Sequence, residues 1–274
     1  MSARTPTRGQ QLKVFLAGRV AVEADGVIIE EQRFPGRQGR LLFAYLVSEQ
    51  DRPVPRDELA EVLWGDAPPA TWEKALTVLV SKLRNLLAES GLDRATALTS
   101  AFGCYRLRLP AAAWVDVIAA ADAVREAEAA LIEGEVEKAK ALATEASSLA
   151  QLSFLPGEDS AWVDEKRREL AAIVPRALIC LAEACLRSGD EGEAAKWAEE
   201  TIALEPVRET GYRRLMEAYA AGGDRAEALR VYERCRRLLA EELGAYPSPE
   251  TDSLYRELLG AAAPEPTVWV SSIR

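Results

Sequence analysis

Thr71-Trp72-Glu73-Lys74-Ala75-Leu76-Thr77-Val78-Leu79-Val80-Ser81-Lys82-Leu83-Arg84-Asn85-Leu86-Leu87 decides how the first 110 residues fold. At 3.6 residues per turn its two faces separate. Trp72, Leu76, Leu79, Leu83, Leu86 and Leu87 form one stripe, and Lys74, Thr77, Val78, Ser81 and Asn85 lie opposite, with Lys82 and Arg84 on the flanks. Thr71 is placed to cap the start of this helix and Ser90-Gly91 to end it. No carboxylate interrupts the polar face between Lys74 and Asn85. Amide, hydroxyl and cationic side chains at this spacing suit base edges and phosphates, and Val78 suits a thymine methyl. A merely solvated helix face has a similar composition, so the neighbouring segments must decide.

On the C-terminal side, Leu98-Thr99-Ser100-Ala101-Phe102-Gly103-Cys104-Tyr105-Arg106-Leu107-Arg108-Leu109 reads as strand, turn and strand. Tyr105, Leu107 and Leu109 alternate with Arg106 and Arg108, which puts two cations on one strand face. Beside a duplex, such a strand neutralises phosphate or enters the minor groove. On the N-terminal side, Pro53 to Trp64 predicts a second helix, with Asp57 and Glu58 at its positive end and Leu59, Val62 and Leu63 inward. Arg37 to Ser48 predicts a first helix built on Leu41, Leu42, Ala44, Tyr45 and Leu46. Leu12, Val14 and Leu16, then Val20, Val22 and Val27 to Ile29 around Ala24-Asp25-Gly26, predict short antiparallel strands. A small sheet, three helices and a terminal hairpin in this order predict a winged helix.

Arg40-Leu41-Leu42 to Leu46, Asp57-Glu58-Leu59-Ala60-Glu61-Val62-Leu63-Trp64-Gly65-Asp66-Ala67-Pro68-Pro69 and Ser81-Lys82-Leu83-Arg84-Asn85-Leu86-Leu87 carry a resemblance. They resemble the OmpR-like winged helix of SARP-type (Streptomyces antibiotic regulatory protein) activators. The resemblance implies that the helix from Thr71 to Leu87 reads double-stranded DNA. It also implies that the loop around Trp64 to Ala70, with Trp64, Gly65, Asp66, Ala67, Pro68 and Pro69, contacts RNA polymerase. Two residues depart from the family pattern: Thr77 stands where glutamine is common, and Cys104 interrupts the usual Gly-Tyr-Arg-Leu string.

Residues 115 to 260 carry an internal repeat: Glu-Ala, four residues, Gly-acid, three residues, Ala. The copies are Glu128-Ala129, Gly134-Glu135 and Ala139; Glu183-Ala184, Gly189-Asp190 and Ala194; Glu217-Ala218, Gly223-Asp224 and Ala228. Their glycines are 55 and 34 residues apart. Thirty-four is the tetratricopeptide (TPR) period. Glycine permits the tight turn between paired helices, and alanine lets them approach. The longer interval needs an insertion, which Gln151 to Val174 supplies, with a break at Phe154-Leu155-Pro156-Gly157 and an added helix from Trp162 to Ile173. Pro206 and Pro247 close helices where the repeat should end. Pro206-Val207-Arg208-Glu209, Leu215-Met216-Glu217-Ala218-Tyr219, Ala226-Glu227-Ala228-Leu229 and Glu241-Glu242-Leu243-Gly244 to Pro247-Ser248-Pro249 are similar to the bacterial transcriptional activator domain of the same proteins.

Charge divides the chain at the same place. Residues 1–110 hold 15 Lys and Arg against 13 Asp and Glu, whereas the remainder holds 19 against 31, so the net charge of −10 is C-terminal. That asymmetry is compatible with a DNA-facing module joined to an acidic, partner-facing one. With no histidine, Ser-His-Asp, Cys-His and His-ligated zinc chemistry are excluded, and no phosphate-cradling Gly-Lys-Ser/Thr loop is present. Neither enzyme activity nor a cofactor or metal is expected. Cys104, Cys180, Cys185 and Cys235 are widely spaced and read as reduced thiols, mostly buried. No apolar run approaches the roughly 20 residues of a membrane helix, and a cytoplasmic protein is expected.

The expectation is a mainly α protein: a flexible start at 1–11, an OmpR-like winged helix at 12–110, a TPR-like domain at 111–260 and a mobile or lightly docked tail at 261–274 holding Val268-Trp269-Val270. Its expected work is sequence-specific DNA binding with recruitment of RNA polymerase, as a possible homodimer on DNA, with a protein or peptide partner in the TPR-like groove. The sparse positive charge leaves a second reading open, an interaction adaptor whose winged helix no longer binds DNA.

Overall fold

Val14 is fully buried, with Val22 as its antiparallel partner on one side and Val115 as its parallel partner on the other. The computed structural model describes residues 12–260, so the expectations for 1–11 and 261–274 lie outside the described residues. In chain order the elements are β1 (Lys13–Phe15), β2 (Ala21–Ala24), β3 (Val27–Glu30), α1 (Gly36–Ser48), β4 (Val54–Pro55), α2 (Arg56–Trp64) and α3 (Trp72–Glu89). They continue with β5 (Leu98–Ala101), β6 (Cys104–Leu107), β7 (Trp114–Val115), α4 (Asp116–Glu133), α5 (Val136–Ala150), α6 (Ala161–Ala171) and α7 (Ile173–Arg187). The last are α8 (Glu191–Leu204), α9 (Glu209–Ala221), α10 (Arg225–Leu243) and α11 (Pro249–Gly260). One sheet has the order β3-β2-β1-β7 and a second the order β4-β6-β5. The chain is mainly α, with a winged-helix architecture followed by TPR-like helical repeats.

The described residues divide into two compact units, 12–122 with Ser148–Ile173, and Ala123–Ser147 with 174–260. This differs from the sequence division at 110/111, because the segment read as a repeat insertion packs into the first unit. Its backbone joins the end of β1: Gly18 N donates to the Ser153 carbonyl (2.8 Å), Leu155 N donates to Leu16 (2.9 Å), and Ala17 bridges Phe154. Phe154, Leu155 and Val163 are buried, and Trp162 lies edge-on to both Tyr45 and Phe154. Glu158, its side chain 1% exposed, accepts from Arg37 Nε (2.7 Å) and Arg40 Nη2 (2.8 Å). Arg167 holds the segment's shape by donating to the carbonyls of Phe154, Leu155 and Glu158. A buried charge persists only with this kind of pairing.

Local differences from the sequence reading have simple causes. Helix α2 starts at Arg56 rather than Pro53, because Val54 and Pro55 pair with Tyr105 and Cys104. Ala60 is buried beside Leu59 and Leu63, while Val62 is only half-buried. In α3 the buried set is Leu76, Val80, Leu83, Leu86 and Leu87. Trp72 and Leu79 fall at the edge of the stripe, where each is half-buried. Thr71 holds the N-cap position without a side-chain capping bond. The helix expected from Trp162 to Ile173 breaks at Ala172, since Pro175 has no N–H to donate to the Ala171 carbonyl.

In the second unit the repeat chemistry takes shape. Ala139, Ala194 and Ala228 have no exposed surface, and Gly223 turns the chain between α9 and α10 at φ 82°. The acid after the glycine acts as a helix cap in two copies: Asp190 accepts from Glu193 N and Asp224 from Glu227 N. Tyr212, Leu215, Met216, Ala228, Val231 and Cys235 form the core of the C-terminal helices, and Tyr232 stacks on Tyr255 at 3.8 Å. All cysteines are free, and burial pushes the Cys180 and Cys235 thiols up to about 12, which leaves them protonated and inert at neutral pH.

Asp116, nine residues after Leu107, ties the first unit together. Its Oδ2 accepts from Leu16 N (2.8 Å) and Ala17 N (2.9 Å), and its Oδ1 accepts from Val117 N. Burial raises its carboxyl above the ordinary 3.8, against the pull of those N–H groups. Replacing it with alanine strands two buried N–H donors, each costing about 1–3 kcal/mol. Asp116→Ala should therefore lower the unfolding free energy by about 3 kcal/mol in urea titrations, and Asp116→Asn, which keeps one acceptor, should lower it less. Glu158→Ala should cost about 2 kcal/mol, less than the roughly 3–5 kcal/mol of a fully buried pair because Arg37 is half in solvent.

Candidate nucleic-acid interface

The polar face of α3 is a continuous exposed surface: Lys74, Thr77, Val78, Ser81, Lys82 and Asn85 all reach solvent, Val78 being 52% exposed. Among the described residues none of Lys74, Lys82, Arg56, Arg94, Arg106 and Arg108 is ion-paired to an acid. Thr77 is exposed and donates its hydroxyl to the Glu73 carbonyl (2.8 Å), which leaves its oxygen able to accept. Lys74 and Val78 border a shallow depression of about 480 Å³ that Gln38, Trp64, Thr71, Ala75 and Leu79 complete.

Arg84 is placed differently from the rest of the sequence-derived set. It is half-buried, and its Nε donates to the Leu98 carbonyl (2.8 Å), so this cation fastens the root of the hairpin to α3. The hairpin itself follows the expected alternation, with Tyr105 and Leu107 buried and Arg108 exposed. Arg106 is half-buried, and its Nη2 donates to the Asp51 carbonyl (3.0 Å). Arg56, which the sequence reading left out, carries its guanidinium over the Tyr105 ring at 5.4 Å, and its N donates to Gly103 (3.1 Å). Its signal lay in the sequence as an arginine opening α2, but only the β4–β6 pairing brings it to the hairpin.

The loop between α2 and α3 is irregular. Trp64 is half-buried, Gly65 turns the chain at φ 62°, and Gly65, Asp66, Ala67, Pro68 and Pro69 are exposed. Trp64, Gly65 and Asp66 rim a cleft of about 680 Å³ shared with Arg37, Tyr45, Glu61 and Trp162. At its wall Tyr45 donates its hydroxyl to Glu58 Oε1 (2.5 Å), and Arg52 holds both Glu58 oxygens at 2.5 and 3.0 Å. Hydrogen bonds from Arg52 hold the Glu58 carboxyl below its ordinary 4.5, while burial raises the Tyr45 hydroxyl above 10. Among the described residues no group of three His, Cys, Asp or Glu could hold a metal ion, and no helix is long and apolar enough to cross a membrane.

Residues 115–259, more than half of the chain, match the family described as Bacterial transcriptional activator domain. The chain belongs to that family. Residues 35–107 match a second description, Transcriptional regulatory protein, C terminal, and cover α1 through β6. Among similar proteins, Regulatory protein AfsR of Streptomyces griseus is 31% identical over 224 residues, 82% of this chain. The matched part spans only 22% of AfsR. Transcriptional regulatory protein EmbR of Mycobacterium tuberculosis is 29% identical over 277 residues, covering 94% of this chain and 66% of EmbR. The solved structure of Mycobacterium tuberculosis EmbR in complex with low affinity phosphopeptide superimposes with a TM-score of 0.81 at 26% identity, over 91% of this chain and 65% of that one. Both relatives are regulatory proteins, EmbR a transcriptional one.

The Glu58 cluster yields a pH prediction. A carboxyl whose folded pKa is depressed contributes stability that is fully present above its unfolded value of 4.5 and is lost as pH falls through the folded value. Glu58→Gln should remove that contribution, about 1 kcal/mol or less for a partly solvated group. The wild-type advantage in unfolding free energy should be constant at neutral and mildly acidic pH and shrink as pH falls below 4.5.

Proposed function

We propose that this chain is a sequence-specific DNA-binding transcriptional regulator of the activator type. The observation that carries the reading is the outer face of α3, exposed from Lys74 to Asn85 without a carboxylate, beside a hairpin whose arginines lack acidic partners. Lys74 and Lys82 neutralise phosphates, while Thr77, Val78, Ser81 and Asn85 meet base edges in the major groove. Arg106 and Arg108 serve the backbone or minor groove along the hairpin, and Arg84 orients that hairpin against α3. The exposed loop Trp64, Gly65, Asp66, Ala67, Pro68 and Pro69 is the surface offered to RNA polymerase. The C-terminal helical repeats take a protein or peptide partner, and two protomers bind adjacent half-sites.

A duplex selected from a random library by the full chain provides the ligand for the test. With about four to six phosphate contacts per protomer, log affinity should fall with log salt at roughly −0.9 per phosphate neutralised. The double variant Lys74→Glu/Lys82→Glu should keep its melting temperature, lose about a hundredfold or more in affinity and show a salt slope shallower by about two. Failure to select any sequence, or indifference of binding to both charges, would sink the reading and favour an adaptor that no longer binds DNA.

A further inference from the structure

The hairpin between β5 and β6 turns through Phe102 at φ 49° and Gly103 at φ 76°, closing the Ala101–Cys104 pair. Two-residue hairpins of this kind need positive φ at both central positions, where asparagine, aspartate and glycine are at ease and a bulky aromatic is strained. The same chain solves the same problem differently elsewhere. Between β2 and β3, closing the Ala24–Val27 pair, it uses Asp25 at φ 51° and Gly26 at φ 81°. Among the described residues Phe102 is moreover the most exposed of the large apolar side chains, at 104%. No contact within the described residues repays either the strain or the exposure.

The backbone beneath it is fixed. Arg56 N donates to the Gly103 carbonyl, Cys104 Sγ to the Phe102 carbonyl, and the hairpin's inner strand is paired on both sides, by β4 and β5. Arg84 ties the base of β5 to the helix with the carboxylate-free face. A rigid hairpin thus presents one aromatic ring at its tip, with Arg56, Arg106 and Arg108 behind it, none of them ion-paired to an acid among the described residues.

We propose that Phe102 is an apolar wedge that enters the minor groove next to the major-groove segment read by α3, packing on sugars and a partly unstacked base step. The proposal rests on the DNA-binding reading above. The cations favour DNA over an apolar protein surface, since positive charge behind the ring suits the phosphates that line a minor groove. Apolar side chains inserted at such steps unstack them, most readily at flexible pyrimidine–purine steps.

The decisive variant is Phe102→Asn, which suits the turn better and carries no charge. With the full chain and the duplex selected by wild type, Phe102→Asn should melt at the same or a higher temperature yet bind about tenfold more weakly. A 2-aminopurine placed at the flanking step should brighten on binding wild type and stay dark with the variant. Phe102→Leu should retain part of both effects. Equal affinity of Phe102→Asn and wild type, while Lys74→Glu/Lys82→Glu loses binding, would overturn the wedge and leave the DNA-binding reading intact. Unchanged affinity coupled to lost activation in a transcription assay with polymerase would likewise overturn it, assigning the ring to a protein contact. Unimpaired binding by Lys74→Glu/Lys82→Glu would overturn both.

Discussion

The end of β1 sets the constraint on which the first unit depends. Leu16 and Ala17 are buried, so their backbone groups must find partners inside the protein. Asp116 accepts from both N–H groups, the Leu16 carbonyl takes Leu155 N, and Gly18 N reaches the Ser153 carbonyl. Two distant parts of the sequence therefore converge on three residues. The first α-helix of the repeat domain starts at one of these partners, and the inserted segment 148–173 supplies the others. Glu158 then fastens the inserted segment to Arg37 and Arg40 of α1, the helix whose Leu41, Leu42 and Leu46 fill the core. The DNA-facing proposal inherits this scaffold, because α3 and the hairpin pack on the same core.

Much of this architecture was legible in the sequence because it is local. Alternation gave the strands, the 3.6-residue period gave α1, α2 and α3, and Asp25-Gly26 marked a hairpin turn. The repeat was legible for the same reason: glycine at the turn and alanine at the contact recur because each repeat solves the same packing problem. Its acids at 190 and 224 proved to be helix caps, a role that fits the spacing but that the bare pattern does not state.

What stayed hidden was long-range. Residues 148–173 contain ordinary helix and turn signals, and nothing local says that their backbone belongs to β1 or that Glu158 meets two arginines more than a hundred residues earlier. The polar set on α3 shows the same limit at the level of single side chains. Arg84 looked like a flank cation until the Leu98 carbonyl claimed its Nε, and Arg56 gave no sign of standing beside Tyr105 until β4 paired with β6. Val80 replaced Leu79 in the core because a stripe's edge is set by what packs on it, which periodicity alone does not fix.

The central claim is that the face of α3 from Lys74 to Asn85 lies in a major groove, and affinity cleavage tests it most directly. Cys180, Cys185 and Cys235 are buried, so a Ser81→Cys variant in a Cys104→Ser background offers one accessible thiol among the described residues for an iron–EDTA tether. On the selected duplex the account predicts strand cuts clustered within a few base pairs at the centre of each half-site, with the offset between strands that marks a major-groove source. Cuts absent, spread evenly along the duplex or offset as from a minor groove would contradict it.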